Sequence, residues 1–254
     1  MMKRSALIFV TIAAFYAPFA AHAGGGGVTP PDMKWSFDGP FGTYDRGALQ
    51  RGFKIYKEVC SACHGMKRLS YRNLTALGYS EDEVKAIAAG YTVMDGPNDE
   101  GEMFERPARP SDRFKSPFAN YNAAKYANNG ALPPDLSLIT KARANGSDYV
   151  YGLLTGYEPA PEGKELLSGQ HWNKYMPGHV IAMAAPLNDG QVAYEDGTPQ
   201  TVDQYARDVT HFLTWAAEPE MEERKRMGVK AILFLIVFAG VMYAVKRKIW
   251  AKVH

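Results

Sequence analysis

"EVCSACHGM", residues 58–66, holds the only two cysteines of the chain, Cys60 and Cys63, with His64 directly behind them. Three chemistries use such a cluster. A redox dithiol of the thioredoxin kind sits among alternating strands and helices, and no such alternation surrounds this stretch. A structural zinc site takes four ligands, and two thiolates with one imidazole leave it one short. The third chemistry is attachment of a c-type haem. On an α-helix, positions three and four apart share a face, so the spacing predicts both thiols and the imidazole on one side of a helix. The cysteines can then add to the two vinyl groups of one porphyrin while His64 reaches the iron. The stretch reads as the anchor of one covalently bound haem c.

A low-spin haem that carries electrons takes a sixth ligand, commonly a methionine, which raises the potential. The chain has eleven methionines. Met1 and Met2 belong to the leader, and Met221, Met227 and Met242 to the C-terminal segment or its approach. Met33 precedes the haem motif, and Met66 is too close to His64 to reach the opposite face. Met94 and Met103 remain possible, and "YMPGHVIAMAAPL" offers Met176 and Met183. Met183 sits among Ala182, Ala184 and Ala185, small enough for a loop to lie close on a porphyrin. His171 and His179 are the rival ligands.

Both ends of the sequence bear on compartment. Residues 1–23 read as a charged start, an apolar run from Ala6 to Ala20 and Ala21-His22-Ala23, the pattern of a cleaved secretory signal peptide. "VKAILFLIVFAGVMYAV", Val229–Val245, is apolar apart from Lys230, and Met227 and Ile249 extend it to the length of a bilayer span. Tyr243 and Trp250 suit the interface, and "KRKIWAK" suits a cytoplasmic flank. The expected organisation is a signal peptide (1–23), an exported haem domain (24–226), a single-pass anchor (227–249) and a cytoplasmic tail (250–254). This places the haem domain in the periplasm, on the bacterial inner (cytoplasmic) membrane.

The formal charge of +2 is unevenly spread. Lys3, Arg4, Lys230, Lys246, Arg247, Lys248 and Lys252 lie near the ends, which leaves 22 basic against 27 acidic residues between them. An acidic domain argues against nucleic acid as a partner and for a basic protein. Asp95, Asp99, Glu100, Glu102 and Glu105 concentrate that charge.

The periodicity predicts a helix from an Asp45 cap to Cys60, with Leu49, Phe53, Tyr56 and Val59 on one face. Ser80 and Glu83 form a capping box for a second helix that stops at Gly90. A third spans about Ser147 to Thr155. A fourth follows Thr201 and Gln204, another capping box, with an apolar stripe from Val202 to Ala216 that Pro219 ends. Met94–Pro134 and Glu158–Pro199 read as long irregular loops. Their hydrophobic pattern is too sparse to fill a centre, which suggests wrapping around a group.

The motif set is specific. "EVCSACHGM", "RPARPSD", "ANNGALPPDLSLITKAR", "DYVYGLLTGY", "IAMAAPL", "YEDGTP" and "WAAEPEMEERKRMG" before an apolar segment together resemble the cytochrome c1 family, from about Trp35 to the C-terminus. The resemblance implies a mainly α, cytochrome c-like haem domain with long irregular loops and one C-terminal transmembrane helix. It assigns the iron ligands to His64 and Met183. It makes Pro134, in "PPDL", the carbonyl acceptor for the haem histidine, and Arg143 the partner of a haem propionate. Some bacterial relatives carry an extra cysteine pair that this chain lacks, so no disulfide supports its loops. The implied role is the haem subunit of quinol–cytochrome c oxidoreductase, a complex expected to be dimeric. Electrons would pass from the Rieske iron–sulfur protein to a soluble cytochrome c, beside cytochrome b. Alone, the chain would be an electron carrier without catalytic residues. The rival readings are a membrane-anchored cytochrome c serving a terminal oxidase or photosynthetic centre without cytochrome b, and a haem enzyme with a weak methionine ligand.

Overall fold

The computed structural model describes residues 28–251. The expected signal peptide, the glycines at 24–27 and the last three residues of the tail lie outside the described residues. Among those described, the chain is mostly helical, with two short antiparallel ribbons.

Helix α1 spans Arg46–Glu58. Asp45 caps it, accepting the Ala48 N–H at 3.1 Å, as its place before the apolar stripe predicted. Leu49, Phe53, Ile55 and Tyr56 are buried on its inner face. A 3₁₀ turn at Tyr71–Leu77 follows, with Asn73 Oδ1 accepting the Ser70 N–H at 2.8 Å. Helix α2, Glu81–Ala89, carries both arms of its capping box: Ser80 N–H to Glu83 Oε2 at 2.7 Å and Glu83 N–H to Ser80 Oγ at 3.3 Å.

The segment expected to be loop from Met94 holds a hairpin, β1 (Thr92–Asp95) and β2 (Phe104–Pro107), with Thr92 opposite Pro107 and Asp95 opposite Phe104. Its strands show no clean apolar alternation, because both faces are largely solvated, and this hid them. Arg106 ties its base by binding both Asp95 and Asp112. Helix α3 is the short Tyr121–Ala127, and α4 is Gly146–Thr155. The second irregular stretch contains the two-residue ribbon of β3 (His171–Trp172) and β4 (Val180–Ile181), and a single antiparallel bridge from Asn173 to Tyr157.

Helix α5, Val202–Ala217, buries Tyr205, Val209, Phe212, Leu213 and Trp215. Its N-terminus differs in one respect from the expected reciprocal box. Thr201 Oγ1 accepts the Gln204 N–H at 3.3 Å, but the Gln204 side chain makes no return bond to the Thr201 N–H; Asp189 of the preceding loop instead accepts the Val202 N–H at 2.6 Å. The α1/α5 pair is the heart of the fold. Gly52 faces Asp208 and Phe212 of α5 so closely that a Cβ there would lie 2.1 Å from the Asp208 carbonyl oxygen. Beside that crossing, Arg51 donates to both carboxylate oxygens of the buried Asp208 at 2.9 and 3.0 Å, and Tyr194 adds a third bond at 3.0 Å. Phe212 packs on Phe53 and Tyr56, with ring centres 5.6 and 5.7 Å apart.

The core is better filled than the sparse loop pattern suggested. Trp35, Phe37, Tyr44, Tyr71 and Phe114, all from irregular or 3₁₀ segments, join the buried cluster. Isolated aromatics carry no periodicity, so their inward placement was not readable from spacing.

Helix α6, Met221–Trp250, is continuous and about 45 Å long at 1.5 Å per residue. Its most apolar 18-residue window has a mean hydropathy of 2.2 and is not covered by the rest of the chain, as a membrane-crossing helix requires. Its base is fastened to the domain. Arg46 binds Glu222 at 2.7 Å, the Tyr44 N–H reaches the same carboxylate at 2.7 Å, and the Tyr44 hydroxyl donates to the Glu218 carbonyl at 2.9 Å.

Candidate haem site

Helix α1 delivers the cysteines but does not contain them. It stops at Glu58, and a 3₁₀ turn, Cys60–Ala62, takes over. The expectation that Cys60, Cys63 and His64 share an α-helical face is thereby corrected. The turn still gathers them: Cys63 and His64 both donate their N–H groups to the Cys60 carbonyl, at 3.2 and 2.9 Å. The tighter turn arises at the helix end, where free carbonyls accept such bonds. Both thiols are free, Cys60 half-buried and Cys63 exposed. Burial, then the neighbouring Cys63, pushes the Cys60 thiol up to about 12.

His64 is oriented from behind. Its Nδ1–H donates to the Pro134 carbonyl at 2.8 Å, which leaves the Nε2 lone pair free. Burial lowers its pKa, opposed by the Pro134 bond and the Asp135 charge, and favours the neutral imidazole that a metal needs. The Tyr56 hydroxyl donates to the His64 carbonyl at 3.2 Å and ties the residue to α1.

The methionines are held by α4 and the ribbon. Asn173, fully buried, donates from Nδ2 to the Leu153 carbonyl at 2.8 Å and accepts the N–H groups of Tyr175 and Met176 at 3.0 and 3.1 Å. The Tyr175 ring lies against Gly156, where a Cβ would sit 2.6 Å from Cδ2. The two candidate ligands differ in their sulfur partners. Met176 Sδ accepts the Tyr149 hydroxyl at 3.5 Å. Met183 is held by its backbone, with its carbonyl accepting the Tyr157 hydroxyl at 3.0 Å. Arg143 is exposed, bonds the Ala142 carbonyl at 3.1 Å and lies beside Tyr149, whose hydroxyl it lowers against the larger raising effect of burial.

The structure thus brings His64 and Pro134 into contact and places Cys60 and Cys63 in the same turn. Met183 and Arg143 stand on separate segments of their own. Asn173, Tyr149 and Tyr157 were not singled out from the sequence. Each lies in a stretch whose pattern marks a helix or loop, and nothing local reveals the carbonyl or sulfur it meets. The donor set suits a c-type haem: two unpaired thiols in one turn, an imidazole with one nitrogen occupied by a carbonyl, and a thioether on a small-residue loop.

A profile described as the cytochrome C1 family matches residues 35–253. The chain is 54% identical over 256 residues to "Cytochrome b/c1" of Bradyrhizobium diazoefficiens, covering 92% of this chain and 37% of that protein. It is 50% identical to "Cytochrome c1" of Rhodospirillum rubrum, covering 92% of each. It is 52% identical to "Cytochrome c1 1, heme protein, mitochondrial" of Arabidopsis thaliana, covering 88% of this chain and 72% of that protein. The chain therefore spans little more than a third of the Bradyrhizobium protein and most of the other two.

Proposed function

From the premise that the chain belongs to the cytochrome c1 family, we propose that it is the haem-bearing electron carrier of a cytochrome bc1 complex. The observation that carries this reading is the His64 Nδ1–H bond to the Pro134 carbonyl, with two unpaired thiols in the same turn. Cys60 and Cys63 would hold one haem by thioether bonds, and His64 Nε2 and Met183 Sδ would be the protein's ligands to its iron. When bound, a haem supplies a one-electron Fe(III)/Fe(II) couple. The protein's part is to hold that couple still and tune it. Pro134 fixes the His64 tautomer and raises its basicity, and Tyr56 locks the backbone behind it. Arg143, whose side chain is exposed to solvent, is proposed to pair with a propionate in a charge-assisted contact.

Electrons arrive from the Rieske iron–sulfur protein and leave to a soluble cytochrome c, with cytochrome b beside the α6 anchor in a dimeric complex. The name "Cytochrome b/c1" of the Bradyrhizobium relative supports the pairing with cytochrome b. The chain acts as a non-autonomous subunit of quinol:cytochrome c oxidoreductase. Its proposed organisation is a leader (1–23), a periplasmic haem domain (24–226), an anchor (227–249) and a cytoplasmic tail (250–254) in the bacterial inner membrane. The uncovered apolar face of α6 supports the anchor.

The test is purification of the tagged chain in mild detergent. Expected are co-purifying cytochrome b and Rieske subunits and a haem that stays with this chain after denaturation. In the Cys60→Ser/Cys63→Ser variant that haem should be lost. A haem-bearing chain that purifies without cytochrome b would favour a free-standing anchored cytochrome c instead.

A further inference from the structure

The His64–Pro134 contact depends on how residues 133–137 are held against residues 64–68, and one side chain dominates that junction. The Asp135 carboxylate accepts two backbone N–H groups, Lys67 at 2.9 Å through Oδ2 and its own segment's Ser137 at 3.0 Å through Oδ1. On either side of it, the Leu136 N–H donates to the Gly65 carbonyl at 2.9 Å and the Arg68 N–H to Ser137 Oγ at 3.1 Å. Leu136 and Ser137 are buried. A Cβ on Gly65 would lie 3.4 Å from Asp135 Oδ2 and 3.3 Å from Ser116 Oγ, so a side chain added next to the histidine would meet the carboxylate. Among the described residues, Asp135 forms no ion pair.

We propose that Asp135 is the positioning residue of the haem histidine: it staples the Pro134 segment to Gly65–Arg68, and its uncompensated negative charge holds the haem potential down. The proposal rests on the haem reading above. A half-buried charge is weakly screened. A negative charge beside the histidine that would ligate the iron would favour the more positive, oxidised iron. A firm Nδ1–H···O=C bond acts in the same direction by making the imidazole a stronger donor. Loss of either effect therefore raises the potential.

The experiment is redox titration of the holoprotein with Asp135→Asn, Asp135→Ser and Asp135→Glu. Asparagine preserves shape without charge, and serine keeps a short local acceptor for the Ser137 N–H without charge. Both neutral variants should raise the reduced-to-oxidised ratio at a fixed ambient potential by roughly threefold to tenfold, tenfold being about 59 mV for one electron. Asp135→Glu should return the ratio towards that of the parent. Amide exchange supplies a second measurement: the Lys67 N–H should be protected in the parent chain and should exchange faster in Asp135→Ser. Parental ratios in both neutral variants with haem attached would overturn the proposal, as would a glutamate variant that shifts as far as asparagine. Rapid exchange of Lys67 in the parent would also overturn it. Absence of covalent haem from the parent chain would instead remove the haem reading on which the proposal rests.

Discussion

Replacing Gly52 by alanine sets two effects of opposite sign against each other. In an isolated helix the change is favourable by about 1 kcal/mol, because glycine has the larger unfolded entropy. In this fold the new methyl would lie 2.1 Å from the Asp208 carbonyl oxygen and 2.7 Å from Phe212 Cβ. Restoring an ordinary contact moves α1 and α5 apart by about 1 Å, and a gap of that size forfeits about a quarter to a half of each dispersion well. Phe53, Tyr56, Phe212 and Leu213 line the seam. At about 2.5 kcal/mol per buried side chain, losing a quarter of four contributions costs about 2.5 kcal/mol. Stretching the Arg51–Asp208 pair adds about 1–2 kcal/mol. The net expectation is a destabilisation of about 2–4 kcal/mol, so the clash wins. Guanidinium unfolding of the detergent-solubilised holoprotein, followed by tryptophan fluorescence, should show the midpoint falling by roughly 0.5–1 M at a slope of about 4 kcal/mol/M. A midpoint that is unchanged or higher in Gly52→Ala would refute the close crossing.

Met183→Leu should leave the haem attached but sharply lower its potential, since a thioether is lost from the iron. A normal potential there together with a fallen one in Met176→Leu would transfer the ligand role to Met176. Neutralising Asp99, Glu100, Glu102 and Glu105 around the β1–β2 hairpin, while leaving the Arg106-bound Asp95 intact, should slow reduction of a basic cytochrome c at low salt. The difference should shrink as the Debye length falls to about 8 Å at physiological ionic strength. Equal rates at low salt would place docking elsewhere. Arg106, then the Arg109 N–H, hold the Asp112 carboxyl down to about 2 from its ordinary 3.8. A depressed folded pKa stabilises above the unfolded value and ceases to do so as pH falls through the folded one. Hairpin amides, corrected for intrinsic exchange rates, should therefore lose protection between about pH 4 and pH 2, and protection unchanged across that window would count against the Arg106 staple.

The sequence alone determined the features that local chemistry specifies. The proposal of a haem anchor came from the sequence because two cysteines and a histidine at that spacing have few other uses. Helices α1, α2 and α5 were legible because Asp45, Ser80 and Thr201 cap stretches with a helical apolar period. The α6 span followed from a run of membrane length that is apolar apart from Lys230. What the tertiary structure decided are contacts between residues distant in the chain. Only the fold shows that the cysteines sit in a 3₁₀ turn beyond α1, that Arg106 closes a solvated hairpin, and that Gly52 lets α1 lie against the Asp208 carbonyl. Likewise, the Tyr149 hydroxyl meets the Met176 sulfur 27 residues away, and Asp135 reaches across 68 residues to the Lys67 N–H. Periodicity records which face of an element is apolar, whereas a single hydrogen bond or close backbone approach leaves no repeating trace along the chain.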